Sequence, residues 1–268
     1  MIGLNELLSL KSDMLAKYKV KYVRHKDSRK EYRELIKDRE ELLKYQAHQS
    51  KNVFKDCDYI ISFFGLDGSK SLFIGAFKVN GWYENTGEFH YDLKEIDIFD
   101  DFKDRLVVDW GKATLSWHQW VNDNDKEVVE MLPKGYLGEF PGLLNFILDF
   151  DELKQLNNNI DANKEWYHHL SSVNGVYLIL DEKAGKQYIG SAYGKDGLWQ
   201  RWSEYVRSGH GGNKLLKECF VNDANYGRNF KFTILQSLPS NTTNKEVINI
   251  ENLYKKKLGT RLFGLNDN

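Results

Sequence analysis

Apolar and polar positions fall into distinct regimes along the chain. Residues 3–50 carry a helical pattern: within KDSRKEYRELIKDREELLKYQAHQ, Tyr32, Leu35, Ile36, Leu42 and Leu43 share one face, while Lys, Arg and Glu lace the other. From residue 58 the pattern turns to β. DYIISFFG is followed by a turn through Asp67-Gly68-Ser69, then by SLFIGAFKV ending at Asn80-Gly81, which reads as a second turn. Strand-like runs recur at 88–98 and 105–110, and FPGLLNFILDF at 140–150 is apolar enough to be expected in a core. The predicted amino-terminal region is α+β, either helices with a small sheet or a small β-barrel with helices.

Periodicity is lost in LNNNIDANKE, where an asparagine cluster marks a surface loop or boundary. The expected organisation is a domain at 1–155, a linker at 156–171 and a second domain at 172–268. In that second domain the pattern predicts strand, strand, helix (197–208), helix (211–220), strand (229–236) and helix (244–258). Its fold class is a small α+β domain. No internal repeat is visible.

Composition supports a globular chain: 41% of the 268 residues are apolar and 29% charged. No apolar run approaches the roughly 20 residues that span a bilayer, and MIGLNELLSLKSDM lacks the apolar core of a signal peptide, so the cytoplasm is the expected location. Cys57 and Cys219 are too few and too far apart for a disulfide framework or a cysteine zinc site, and are expected as buried thiols. The adjacent pair His168-His169 points two ways on any regular element and is expected to be structural. A net charge of −1 conceals +6 over residues 1–55, −12 over 56–165 and +5 over 166–268. Contacts to a polyanion therefore fit the two ends better than the middle. Lys30, Arg33 and Lys37 on the first basic arm are candidate DNA contacts.

The chemistry concentrates in GVYLILDEKAGKQYIGSAYG, residues 175–194. Two strand-like runs flank a turn, and each carries a tyrosine beside a glycine: Gly175-Val176-Tyr177 and Tyr188-Ile189-Gly190. Downstream lie Arg201 in WQRWSEY, Glu251 in EVINIENLYKKKLG and Asn266 in FGLNDN. On these residues, 172–268 resembles the GIY-YIG nuclease domain of homing endonucleases, excision-repair incision proteins, structure-selective nucleases and some restriction enzymes. The resemblance implies a three-stranded antiparallel sheet with flanking helices, and phosphodiester hydrolysis with Mg2+, for which Mn2+ is expected to substitute. It implies catalytic roles for Tyr177, Tyr188, Arg201, Tyr205, Glu251 and Asn266, with Tyr177 as the family's proposed general base and Glu251 as metal ligand.

The chemistry agrees with those assignments. Arg201 offers a permanent planar fork to a phosphate, and Tyr205 lies one helical turn later on the same face. Glu251 is the only anionic member of the set, so a hard ion held there keeps waters and gains phosphate oxygens. A phenol with pKa near 10 needs a downward shift of about 3 units, about 4 kcal/mol, to act as a base at neutral pH. A water relay demands less, and both routes remain open at this point. Some relatives carry lysine after the second triplet where this chain has Ser191, so such a role is absent or moves to Lys195 or Lys214. In SGHGGNKLLKE the glycines, His210 and Lys214 are candidate DNA contacts, with Asn213 or its neighbour capping the next helix.

No family is recognised in the amino-terminal region. Trp82, Tyr83, Trp110, Trp117 and Trp120 offer aromatic faces, and SWHQW is a candidate pocket for a flipped base, against the simpler reading as core. The expected whole is a Mg2+-dependent endonuclease acting on double-stranded DNA, targeted by its amino-terminal domain. The expected role is restriction or related defence, with dependence on base modification left open and a homodimer on DNA for double-strand cleavage. The alternatives are a repair or structure-selective nuclease, or an inert DNA-binding module.

Overall fold

The computed structural model describes residues 2–26, 39–112 and 116–267. Its contacts divide the chain into two compact units, Met1–Pro133 and Lys134–Asn268.

The first unit contains α1 (Leu4–Ser9), α2 (Met14–Lys17), β1 (Val20–His25), α3 (Arg39–Ala47), β2 (His48–Gln49), β3 (Tyr59–Gly65), β4 (Lys70–Asn85), β5 (Glu88–Ile96), β6 (Leu106–Asp109), β7 (His118–Trp120) and β8 (Glu127–Met131). The strand order is β2-β5-β4-β3-β1-β7, with β6 joining β4 to β8. Only β1 and β3 pair in parallel among the described strands. Bulges at Ser62/Phe63, Val79/Gly81 and Val107/Val108 sharpen the twist, and the sheet forms an open, curled half-barrel.

Residues 20–25 depart from the helix expected over 3–50. VKYVRH is buried on both faces, Tyr22 against Ile61 and Phe63, and Val23 against Ile60 and Phe77. A strand covered on both sides has no polar alternation to betray it. Of the expected apolar helix face, Leu42 is buried with Phe64 and Ile74, and Leu43 packs near Val23. Tyr32, Leu35, Ile36, Lys30, Arg33 and Lys37 lie outside the described residues.

Asn80-Gly81 is likewise no turn, because β4 runs through it on a bulge. The chain reverses at Thr86-Gly87, whose φ angles of 49° and 83° match the twist of a two-residue hairpin. Trp110 is core, 1% exposed, with its indole N–H donated to Ser116 O at 3.1 Å. Trp117 packs against Phe54 and Gln119 is buried, whereas Trp120 is exposed with the Lys21 ammonium over its ring.

The second unit contains β9 (Leu148–Asp149), α4 (Phe150–Asn158), α5 (Lys164–Ser171), β10 (Val173–Asp181), β11 (Lys186–Ala192), α6 (Gly197–Ser208), α7 (Lys214–Cys219), β12 (Phe230–Pro239), α8 (Asn244–Leu258) and α9 (Thr260–Phe263). Its antiparallel sheet runs β11-β10-β12-β9, the short β9 adding a fourth strand to the three expected. The division falls after Pro133 instead of near 155, and residues 156–171 are folded into this unit. A capping box starts α4: Asp149 accepts from Glu152 N at 2.7 Å, and Glu152 accepts from Asp149 N at 2.9 Å. Within the asparagine cluster Asn163 is the buried member. Asn163 accepts from Leu137 N at 2.9 Å and donates to Gly135 O and Asn159 O at 2.8 and 2.9 Å. Polar composition suggested a linker, but the satisfied, buried amide of Asn163 binds the segment to residues 135–137.

FPGLLNFILDF is only partly core: Leu148 and Phe150 are buried, whereas Leu144 and Ile147 are exposed. Cys57 is buried and Cys219 half-buried. Among the described residues no helix is long and apolar enough to cross a membrane.

Candidate active site

The β10–β11 register explains the tyrosine-glycine triplets. Tyr177 lies opposite Gly190, and Tyr188 lies opposite Ile179, which puts both tyrosines on one face of the sheet. A Cβ on Gly190 would fall 2.4 Å from the Tyr177 ring, so the glycine is the seat across which that ring lies. A Cβ on Gly175 would meet Gln236 O at 2.7 Å, beside the β12 bulge opposite Val176/Tyr177. Each glycine therefore permits a close approach that sets where Tyr177 stands.

α6 packs its apolar face, including Leu198 and Trp202, onto this side. Arg201 Nε donates to Tyr177 Oη at 3.1 Å, and Nη2 reaches Tyr205 Oη at 3.4 Å. Nη1 is bonded to Glu204, one turn along the helix. The guanidinium also lies over the Tyr205 ring, 5.1 Å from its centre. Tyr177 and Tyr205 share a hydroxyl contact of 2.9 Å, and both are fully buried. Burial drives the ionisation of both phenols well upward, and for Tyr177 the favourable Arg201 charge and the Arg201 and Tyr205 hydrogen bonds offset this only in part. The structure thus works against an ionised Tyr177, opposite to the shift that direct base catalysis requires.

Glu251 approaches from the other face. Ser191 lies opposite Val176 and alternates away from Tyr177, and its hydroxyl donates to Glu251 Oε2. The ammonium of Lys255, one turn further along α8, lies 2.7 Å from Glu251 Oε1 and is 3% exposed. β11 is the edge strand of its sheet, so side chains from both faces can meet around it. They do so in an open cavity of about 400 Å3, lined by Tyr188, Ser191, Arg201, Glu204 and Glu251 among others.

Asn266 is buried and clasps the middle of the second triplet. It accepts from Ile189 N at 2.9 Å and donates to Ile189 O at 2.8 Å, holding β11 by its outer edge without touching Glu251. The remaining basic candidates stand outside the cavity lining. Lys195 is exposed before α6, and Lys214 is exposed at the start of α7, which Asn213 caps by accepting from Leu216 N at 2.8 Å. His210 Nδ1 accepts from Gly212 N at 3.0 Å. The ammonium that meets the acidic centre is Lys255, a residue not singled out from sequence, as Glu204 was not. Their spacings, i+4 from Glu251 and i+3 from Arg201, were the available signals.

The donor set suits a hard divalent ion. Glu251 and Glu204 are carboxylates, Tyr188 and Ser191 are hydroxyls, and each Glu251 oxygen keeps a second lone pair beyond its present partner.

Residues 173–266 match the family model of the GIY-YIG catalytic domain. Two solved structures resemble this GIY-YIG region. One is a mutant form of the catalytic domain of the intron endonuclease I-TevI, at 24% identity over 36% of this chain and 94% of that one, with a TM-score of 0.30. The other is the catalytic domain of the homing endonuclease I-TevI, at 27% identity over 35% and 96%, with a TM-score of 0.28. No curated protein matches the chain.

Proposed function

We propose that the chain is a divalent-metal-dependent endonuclease that hydrolyses phosphodiester bonds of double-stranded DNA, acting in restriction or related defence. One observation carries the catalytic part: Arg201, Tyr188 and Glu251, brought from a helix, an edge strand and a second helix, border a single open cavity.

Phosphodiester hydrolysis needs an anion clamp, a positioned water and charge relief on the phosphoryl oxygens. Arg201 has five N–H donors, and three are engaged by Tyr177, Tyr205 and Glu204. Two are left for non-bridging oxygens of the scissile phosphate. Glu251 would hold Mg2+ or Mn2+, with Glu204 as a neighbouring carboxylate; when bound, such an ion supplies Lewis-acid stabilisation and a more acidic water. Tyr188 orients the attacking water by its hydroxyl, since it lines the cavity. Tyr177 keeps its proton and holds Arg201 Nε, with Tyr205 bracing the same guanidinium. Lys255 and Ser191 fix the two oxygens of Glu251, and Asn266 fixes the strand that carries Tyr188.

The catalytic unit offers a phosphate site more than a base-reading surface, so targeting is assigned to the amino-terminal unit. Glu251→Gln and wild-type protein should be incubated with Mg2+ and a panel of unmodified and modified phage DNAs, and the ends sequenced. Wild-type cleavage of a defined DNA class, absent in the variant, is the expected result; equal cleavage by both removes Glu251 from the mechanism. A second reading, a repair or structure-selective nuclease, rests on Tyr205 in the Arg201 cluster, where some relatives of the family have histidine and repair-type nucleases have tyrosine. Preference for flapped or branched DNA over linear phage DNA would favour it. Double-strand cuts would take two copies on DNA, which sedimentation of the DNA complex measures.

A further inference from the structure

The amino-terminal unit holds a second cluster of ligating side chains, unrelated to the nuclease cavity. Glu88 and His90 are two residues apart on β5 and therefore project from one face. His48 on β2, the edge strand, lies directly opposite His90 in the antiparallel register. The ligand atoms of His48, Glu88 and His90 all lie within 4.8 Å of one another. Tyr83 is opposite His90 on its other side and stacks on it at 5.0 Å, while the His48 and His90 rings stack at 4.6 Å. His90 is thus held between two rings, at a cavity of about 410 Å3 that also takes in Asp92.

We infer that His48, Glu88 and His90 form a binding site for a borderline divalent ion such as Zn2+. Two imidazoles and a carboxylate are a ligand set for zinc with a fourth position open, whereas Mg2+ prefers an all-oxygen set. Ligand atoms around a tetrahedral zinc stand about 3.4 Å apart, so the widest pair, now within 4.8 Å, must close by up to ~1.4 Å while the His48–Glu88 pair opens. The His48 and Glu88 side chains can make that movement, being 46% and 52% exposed. His48 Nε2 now lies 2.6 Å from Glu88 Oε2, and its ring must turn out of the stack to share an ion with His90. The bound ion would clip the two-residue β2, and with it the end of α3, to β5. This is a staple at an edge where β2 and β5 pair over two residues.

The test is calorimetric titration of the full chain with Zn2+ in excess Mg2+, alongside thermal unfolding. One Zn2+ per chain and a raised melting temperature are expected. His48→Ala and His90→Ala should each weaken Zn2+ at least about tenfold. Glu251→Gln, Cys57→Ser and Cys219→Ser should leave it unchanged. Circular dichroism checks the fold of each variant. Absence of Zn2+ binding, or its survival in the His48→Ala/His90→Ala double variant, would reduce the cluster to a surface ion pair with a ring stack and overturn the site.

Discussion

Each unit buries a cation, and the two are used differently. In the amino-terminal unit Arg24 is 3% exposed and donates to Ser71 Oγ at 2.8 Å and to the carbonyls of Gly68 and Lys70. Beside it on β1, His25 bonds Gln46, which also takes the Ser62 hydroxyl. The Gly68 carbonyl lies in the β3–β4 connection and that of Lys70 at its end, so Arg24 ties that turn to β1. In the carboxy-terminal unit Lys255 is equally buried, and it pairs with the Glu251 carboxylate, which opens onto a cavity beside Arg201. Hydrogen bonds from Arg24 to Ser71 and to the β3–β4 turn join parts of one sheet and are a structural use of a buried cation. A buried ion pair with one member at an open cavity marks a site where charge is kept for a ligand.

The largest expected effect separates those two roles at Glu251. Glu251→Ala should abolish cleavage, and it should also destabilise the unit by about 3–5 kcal/mol, because the buried Lys255 ammonium loses the opposite charge of Glu251. The double variant Glu251→Ala/Lys255→Met should recover most of that stability and none of the cleavage. Denaturant midpoints and plasmid nicking rates read the two effects separately. Recovered cleavage would sink the metal-ligand role.

Arg201→Lys comes next, with a loss of about 3 kcal/mol in transition-state stabilisation, a hundredfold or more in single-turnover rate. A point charge cannot engage Tyr177, Tyr205 and Glu204 while presenting two parallel N–H groups to phosphate. A lysine variant with wild-type rate would leave Arg201 only a packing role.

On the amino-terminal side, burial lowers the His25 pKa from 6.5 to about 4, with the Gln46 hydrogen bond opposing. The folded state therefore disfavours the proton that the unfolded chain accepts. Stability is complete above the unfolded value and is lost as pH falls from 6.5 toward about 4, by about 3 kcal/mol in total. The pH dependence of the denaturant midpoint, wild type minus His25→Gln, isolates this contribution. A flat difference would show that His25 is reached by water.

Gly190→Ala should cost about 1–3 kcal/mol by pushing the Tyr177 ring off its seat, with a matching fall in melting temperature. Cleavage should fall with it, since Tyr177 supports Arg201. Normal stability in this variant would show that the ring has room elsewhere. The smallest effect belongs to charge reversal at Lys30, Arg33 and Lys37, which should weaken DNA binding and flatten its salt dependence by about 0.9 log units for each phosphate no longer neutralised. An unchanged salt slope would move targeting off this arm.

What could be read from the chain alone was local. Spacing of tyrosine and glycine on two β-rich runs marked the β10–β11 hairpin, helical spacing joined Arg201 to Tyr205, and Asn213 carried the cap signal for α7. Such features depend on residues within a few positions of one another, and their physics is written in adjacent letters. Three other features were settled only by tertiary structure. β1 was invisible because burial on both faces erases alternation, and the asparagine cluster read as a linker because its hydrogen-bond partners at 135–137 are distant in sequence. The meeting of the Glu251–Lys255 pair with Ser191 could not be foreseen, since it requires an edge strand around which two faces converge. Sequence thus determined which groups were present and how each local element begins and ends. Packing decided which groups lost water, which kept a charge, and which of them share a cavity.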